Sequence, residues 1–263
     1  MEKDLLIQDF EKNYNVKINN INVLKEDNGL VLNLDDKYIL KEMNERDFKA
    51  TKLFESYYKF VKGFRKAIYV SDNNSYMVYE FIEEDRSIDY NKIKIFNQIY
   101  DLVKEERRYE SESYGYLFED NKTWYQFLAD EVDYSIKQLN DKLDTKIVLK
   151  ALKIVKKEKI EPYLLHGDLG VHNFIVKDKI INTIDPIAVV GDYLYDFYYA
   201  ILSNYSITDN LDIEFVLSYF DRKLKYKKAL FIVVYFIRMV RAYKYNKTDY
   251  ELFLSDYKYL SLK

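Results

Sequence analysis

Apolar and polar positions follow two different periods along this chain, and the change of period divides it. Residues 2–13 place Leu5, Leu6 and Phe10, with Tyr14 beyond them, on one stripe, which predicts a short amphipathic helix. From Val16 to Met43 the period falls to two: Val16, Ile18, Ile21 and Val23, then Leu30, Leu32 and Leu34, then Tyr38 and Leu40. Turn residues at Asn28-Gly29 and Asp35-Asp36 separate these runs, so three antiparallel strands are expected. A helix is expected from about Asn44, a suitable N-cap, to Lys62, with Gly63 as its stop. Two further strands, Ala67 to Ser71 and Tyr76 to Phe81, flank the turn Asp72-Asn73-Asn74.

Past the charged and unpatterned Glu83-Glu84-Asp85-Arg86 the spacing becomes helical, over roughly 88–109, 121–141 and 144–159. It returns over about 192–204, 211–222, 225–245 and 247–258. The expectation is an α+β chain with a small five-stranded antiparallel lobe carrying one main helix (1–82) and a larger, mostly helical lobe (83–263). The apolar run Ala229 to Ile237 is hydrophobic on all sides, which marks a buried core helix. It is about half the ~18 residues a membrane span needs.

One stretch fits neither period. Leu164-Leu165-His166-Gly167-Asp168-Leu169-Gly170-Val171-His172-Asn173 runs from an apolar pair into a polar loop that holds a carboxylate and an amide. A short strand from Phe174 to Val176, a turn at Asp178-Lys179 and a second strand follow, ending at Asp185-Pro186. A hairpin of this kind would bring Asp168, Asn173 and Asp185 to one end. Two carboxylates and an amide oxygen suit hard cations such as magnesium, which take oxygen ligands.

Composition narrows the chemistry. With 41 basic and 44 acidic residues the net charge is −3, which gives no electrostatic footprint for nucleic acid. Cys is absent, so neither a disulfide framework nor a thiolate metal site is available, in keeping with a reducing cytosol. Zinc sites want three or four His, Cys or carboxylate ligands, and His166 and His172 are the only His residues. The start, Met1-Glu2-Lys3-Asp4, is charged and lacks a signal-peptide apolar core. A cytoplasmic protein, monomeric or weakly dimeric and without a membrane partner, is expected.

The spacing of the polar stretch resembles the kinase catalytic loop. There a catalytic Asp precedes a metal-binding Asn by five residues, as Asp168 precedes Asn173, and a second metal-binding Asp follows a hairpin, as Asp185 does. The form His-Gly-Asp is similar to the aminoglycoside phosphotransferase and choline kinase group of small-molecule kinases. Five strands with one helix after the third extend the likeness through the first lobe. The resemblance implies a two-lobed protein-kinase-like fold and transfer of the γ-phosphoryl of ATP or GTP, with magnesium, to a hydroxyl of a small molecule. Asp168 would accept or orient the hydroxyl proton, and Asn173 and Asp185 would hold the metal. Lys41, at the end of Tyr38-Ile39-Leu40-Lys41, would pair with phosphate oxygens and with a Glu of the next helix, Glu55 in preference to Glu45. Backbone groups near Glu80, Phe81 and Ile82 would read the base.

The same resemblance gives His166 a structural role in holding the loop, makes Asp192 an N-cap, and has Asp196 brace the catalytic loop. His172 reads as solvent-facing. Two departures stand out. Only Asn28-Gly29 occupies the place of a Gly-rich phosphate loop, and Pro186 stiffens the exit from Asp185, which with the short 186–191 link argues against a protein kinase. The acceptor stays open. A polycationic aminoglycoside would want carboxylates, for which Glu119, Asp120, Asp130, Glu131, Asp133, Asp209, Asp212 and Glu214 are candidates, although such runs are commonly solvated faces. The alternative is a catalytically silent nucleotide-binding protein of the same fold.

Overall fold

The computed structural model describes residues 3–27, 29–72, 75–85, 92–119, 122–139, 143–208 and 213–260. Asn28, Asn73, Asn74, Arg86, Asp120, Asp209 and Asp212, all invoked above, lie outside these residues. The chain divides into two compact units, Met1–Ile88 with Ile175–Ile187, and Asp89–Phe174 with Ala188–Lys263.

In the first unit, helix α1 (Lys3–Tyr14) precedes strands β1 (Ile21–Lys25), β2 (Val31–Leu34) and β3 (Tyr38–Glu42). Helix α2 (Glu45–Tyr57) and strands β4 (Tyr69–Val70) and β5 (Tyr76–Glu80) follow. The five strands form one antiparallel sheet in the order β1-β2-β3-β5-β4. Register explains its two faces. Leu32 lies opposite Leu40, and Leu40 opposite Val78, so one face offers a row of apolar side chains against Leu6, Ile7 and Phe10 of α1. Each such side chain is worth roughly 1.5–3 kcal/mol when buried. Ile39, Lys41, Met77 and Tyr79 alternate with that row and therefore project from the other face. A slip of one residue would turn Lys41 into the α1 core, which fixes the register.

Boundaries moved where side chains captured the backbone. The first strand begins at Ile21, not Val16, because the amides of Asn19 and Asn20 donate to Asp35 and that of Ile18 to Glu11. Asn44 caps α2 by accepting from the Asp47 amide, but the helix ends at Tyr57, short of Lys62. Immediately beyond it the Tyr58 ring packs between Phe54 and Phe64. The hairpin of β8 (Phe174–Lys177) and β9 (Ile180–Thr183) turns through Asp178 and Lys179 at φ of 52° and 64°, as the tight two-residue turn demands. Residues 175–187 are tied to the first unit by Asp85 N–H to Val176 O (2.9 Å) and Thr183 N–H to Gly63 O (2.7 Å).

The second unit is mostly helical: α3 (Lys92–Lys104), α4 (Trp124–Gln138), α5 (Lys146–Val155), α6 (Leu194–Ile201), α7 (Tyr205–Thr208), α8 (Ile213–Ser218), α9 (Leu224–Tyr245) and α10 (Lys247–Tyr257). Helix α9 is its axis. Ala229 through Val240 are buried, and α4, α5, α6 and α10 pack around them. No helix among the described residues is long and apolar enough to cross a membrane. The periodicity did not anticipate a three-stranded antiparallel sheet, in which β10 (Val189–Gly191) lies between β6 (Gly115–Tyr116) and β7 (Tyr163–Leu165). This sheet sets the position of the loop that leaves β7.

Gly191 closes that sheet against α4. A Cβ there would lie 2.5 Å from Trp124 Cζ3 and 2.9 Å from Leu165 Cδ1, and both side chains are buried. Gly191→Ala is therefore expected to cost about 1–3 kcal/mol through overpacking. Urea unfolding checks it, and an unchanged midpoint would contradict this packing.

Candidate active site

The loop that leaves β7 is held from beneath. Gly167 adopts φ of 81°, a left-handed conformation that favours glycine, and its N–H donates to both oxygens of Asp196 at 3.0 and 3.2 Å. Asp196, in the first turn of α6, is wholly buried, and burial pushes its carboxyl up to about 6 despite the amides and the Glu106 carboxyl that face it. Glu106 is itself buried, and among the described residues neither of its oxygens meets a donor. Burial and then the charge of Asp196 push it well above the usual carboxylate range. His166 is fully buried and its Nδ1 faces the Asp168 amide at 3.4 Å. Asp192 accepts from Leu194 N–H (3.0 Å), Tyr226 Oη (2.9 Å) and Arg222 Nη2 (3.0 Å), and so organises the start of α6.

Above this base stands Asp168, with donors at both oxygens. Oδ1 accepts from Tyr199 Oη at 2.6 Å, and Oδ2 accepts from Asn173 Nδ2 at 3.1 Å with His172 Nε2 at 3.3 Å. Arg241 Nη1 lies 3.7 Å from Oδ1 and also donates to Tyr199 Oη. Burial alone would raise the Asp168 carboxyl, but His172, Arg241 and Arg238 outweigh it and hold it at about 2. The carboxylate is thus ionised at neutral pH and a weak base, suited to orienting a donor. Asn173 sits in a 3₁₀ turn (Val171–Asn173) and spends its amide hydrogens on Asp168, so its Oδ1 has no donor among the described residues. Asp168 lines a cavity of about 740 Å³ together with His172, Tyr199, Arg238, Arg241, Lys244 and Asp249.

No site role was expected for Tyr199, Arg238 or Arg241, and His172 was expected to face solvent. The His172 ring is half exposed, yet it reaches Asp168. Tyr199 lies in the largely apolar α6, and Arg238 and Arg241 follow directly on the apolar run Ala229 to Ile237 that marks α9 as a core helix.

In the first unit the expected pairing is corrected. Lys41 Nζ pairs with Asp185 Oδ1 at 2.6 Å, not with Glu55. Glu55 is buried, and its oxygens accept from Ala67 N–H (2.7 Å) and Tyr79 Oη (2.8 Å); Glu45 pairs with Lys49. Neutral donors brought by packing satisfy Glu55, so its carboxyl has no need of an ammonium. Burial pushes it up to about 7. Lys41, Asp185 and Glu55 border a cavity of about 260 Å³ whose walls include Leu24, Val31, Ile39, Phe81, Ile82 and Ile175. Apolar walls with a charged end fit a flat base followed by phosphates. Glu80 does not line this cavity, and the Phe81 amide is used by Lys37 O at 2.7 Å. Among the described residues no three His, Cys, Asp or Glu side chains group as a metal site. Asp185 belongs to the first unit, and Asp168 and Asn173 belong to the second.

No protein-family model matches this sequence, and no curated protein matches it. Solved structures do. A thermostable mutant of the aminoglycoside phosphotransferase APH(4)-Ia, in a ternary complex with ADP and hygromycin B, is 13% identical with a TM-score of 0.64, over 97% of both chains. The fold is that of the small-molecule phosphotransferases. The GDP and kanamycin complex of APH(2")-IIIa is likewise similar, at 13% identity and a TM-score of 0.60 over 97% of this chain and 99% of that one. So is the choline kinase LicA from Streptococcus pneumoniae, at 14% identity and 0.63 over 97% and 98%. This phosphotransferase fold is the two-lobed α+β, protein-kinase-like architecture expected from the sequence.

The protonation of Glu55 gives a measurable consequence. Its folded value, about 7, lies above the ordinary 4.5, so between the two the folded chain keeps a proton that the unfolded chain releases. Stability from this group therefore falls as pH rises through that window. Relative to Glu55→Gln, wild type should lose on the order of 3 kcal/mol between pH ~4.5 and ~7. Urea unfolding at several pH values checks it, and a constant difference would contradict a raised Glu55.

Proposed function

We propose that this chain is a phosphotransferase that moves the γ-phosphoryl of ATP or GTP to a hydroxyl of a small molecule. The observation that carries the reading is an ionised Asp168, fixed by Tyr199 and Asn173 on the wall of a cavity of about 740 Å³. Solved structures of the same fold that hold ADP or GDP support a nucleotide as the donor.

In the proposed reaction Asp168 takes the hydroxyl hydrogen as an acceptor and aims the oxygen lone pair at the γ-phosphorus. The new O–P bond forms as the bond from that phosphorus to its bridging oxygen breaks. The hydroxyl proton passes to Asp168 and then to solvent, leaving a phosphomonoester and a nucleoside diphosphate. A carboxylate at about 2 is too weak to abstract the proton early, so orientation is its main contribution. Lys41 exchanges part of its pairing with Asp185 for phosphate oxygens. The Asp185 carboxylate and the Asn173 Oδ1 are hard oxygens that fit magnesium, which when bound neutralises phosphate charge. Asp196 and His166 act as positioning residues through the loop backbone.

One observation favours the silent alternative: both Asp168 oxygens already have protein donors, Tyr199 on one and Asn173 on the other. In the phosphotransferase reading the acceptor hydroxyl shares Oδ1 with Tyr199 or displaces it. Turnover separates the two. Asp168→Ala should lower nucleotide-dependent phosphorylation by roughly 10²–10⁴-fold while nucleotide affinity stays close to wild type. Asp185→Ala should instead weaken magnesium-dependent nucleotide binding. Full activity in Asp168→Ala would overturn the reading, and magnesium–nucleotide binding without turnover on any acceptor would establish the silent alternative.

A further inference from the structure

Helix α9 carries Arg238, Arg241 and Lys244 three residues apart, so the three share one face. That face bounds the cavity beside Asp168, and among the described residues the carboxylates lining the cavity are Asp168 and Asp249. Neither is free for a cationic ligand. Asp168 is taken up by Tyr199, Asn173 and His172, while Asp249 accepts the Tyr205 amide (3.2 Å) and sits in the first turn of α10, where the helix dipole offsets its charge. Three of the carboxylates named for a polycation are engaged within the chain. Asp130 pairs with Lys122 (2.8 Å) and Glu214 with Lys228 (2.9 Å), and Glu131 accepts from Tyr116 and Arg241.

The positive groups are less well matched. Glu131 and Asp168 offset Arg241. Arg238 is buried and donates to the carbonyls of Leu202 and Ser203, which solvate its charge without cancelling it. Lys244 is exposed and has no carboxylate partner among the described residues, its ammonium lying over the Tyr245 ring. A polycation entering this cavity would meet like charge, a repulsive element that sets specificity.

We propose that the acceptor of this site is an anion: a hydroxyl compound bearing a carboxylate or a phosphate, whose charged group lies along the Arg238–Lys244 face while its hydroxyl reaches Asp168. The inference rests on the phosphotransferase reading for the reaction but not for the binding, so binding and turnover are measured separately. A series of hydroxyl compounds spans the charge classes: gluconate and glucose 6-phosphate as anions, glucose as neutral, glucosamine as cation and kanamycin as polycation. Binding to the full chain is read by calorimetry, and turnover by nucleoside diphosphate formation.

At least one anion should bind roughly tenfold more tightly than glucose, with kanamycin and glucosamine weaker still. Gluconate against glucose 6-phosphate separates carboxylate from phosphate recognition. Lys244→Glu, an exposed change whose fold is checked by its thermal midpoint, should erase the preference for the anion. Anion binding without turnover would uphold the charge class while refuting phosphoryl transfer. Preference for glucosamine or kanamycin, failure of every anion to bind, or an anion preference unchanged in Lys244→Glu would overturn the proposal.

Discussion

One buried carboxylate governs what the second unit can offer chemically. Asp196 accepts the Gly167 amide with both oxygens, and that contact fixes the left-handed turn from which Asp168 projects. A hydrogen bond to a charged group contributes about 1.5–3 kcal/mol, whereas a buried charge without partners costs several. Glu106 beside it is pushed well above the usual carboxylate range by burial and then by the Asp196 charge, which disfavours a second negative charge there. Reactive groups must be held to within about 0.5 Å to act. An interior polar cluster, wholly removed from solvent, provides that constraint more firmly than the loop's own short turns could.

The first unit rests on a different constraint. Because the sheet presents α1 with one apolar face, Lys41 and Tyr79 are forced to the other, where Glu55, Arg65 and Asp185 lie. Tyr79 and the Ala67 amide claim Glu55 and leave Lys41 to Asp185. A phosphate group that binds Lys41 therefore competes with a carboxylate 2.6 Å away, and a divalent cation on Asp185 would ease that competition.

Much of this was legible in the sequence, for physical reasons. Leu30, Leu32, Leu34 and Leu40 keep a two-residue period because one face of the sheet packs against α1, and the 3.6-residue spacing of α4, α5 and α9 reflects a one-sided or complete burial that few other patterns imitate. Asp168, Asn173 and Asp185 stood out because an apolar run rarely breaks into that set of oxygens. Strands β6, β7 and β10 were not legible: at two or three residues each they show no period, and they pair across long separations. Tyr199 was hidden among 28 tyrosines, and the basic face of α9 by the apolar residues around it. The partner of Lys41 depended on which donors packing delivered to Glu55, which spacing cannot report.

The central claim, phosphoryl transfer to a hydroxyl, is tested most directly by following phosphorus itself. Phosphorus-31 NMR of the purified chain with magnesium, ATP or GTP and hydroxyl acceptors of each charge class resolves donor, diphosphate and product together. The account predicts that the γ resonance is lost in step with the growth of a phosphomonoester resonance and of a nucleoside diphosphate. Release of inorganic phosphate alone, or a triphosphate left intact with every acceptor, would contradict it.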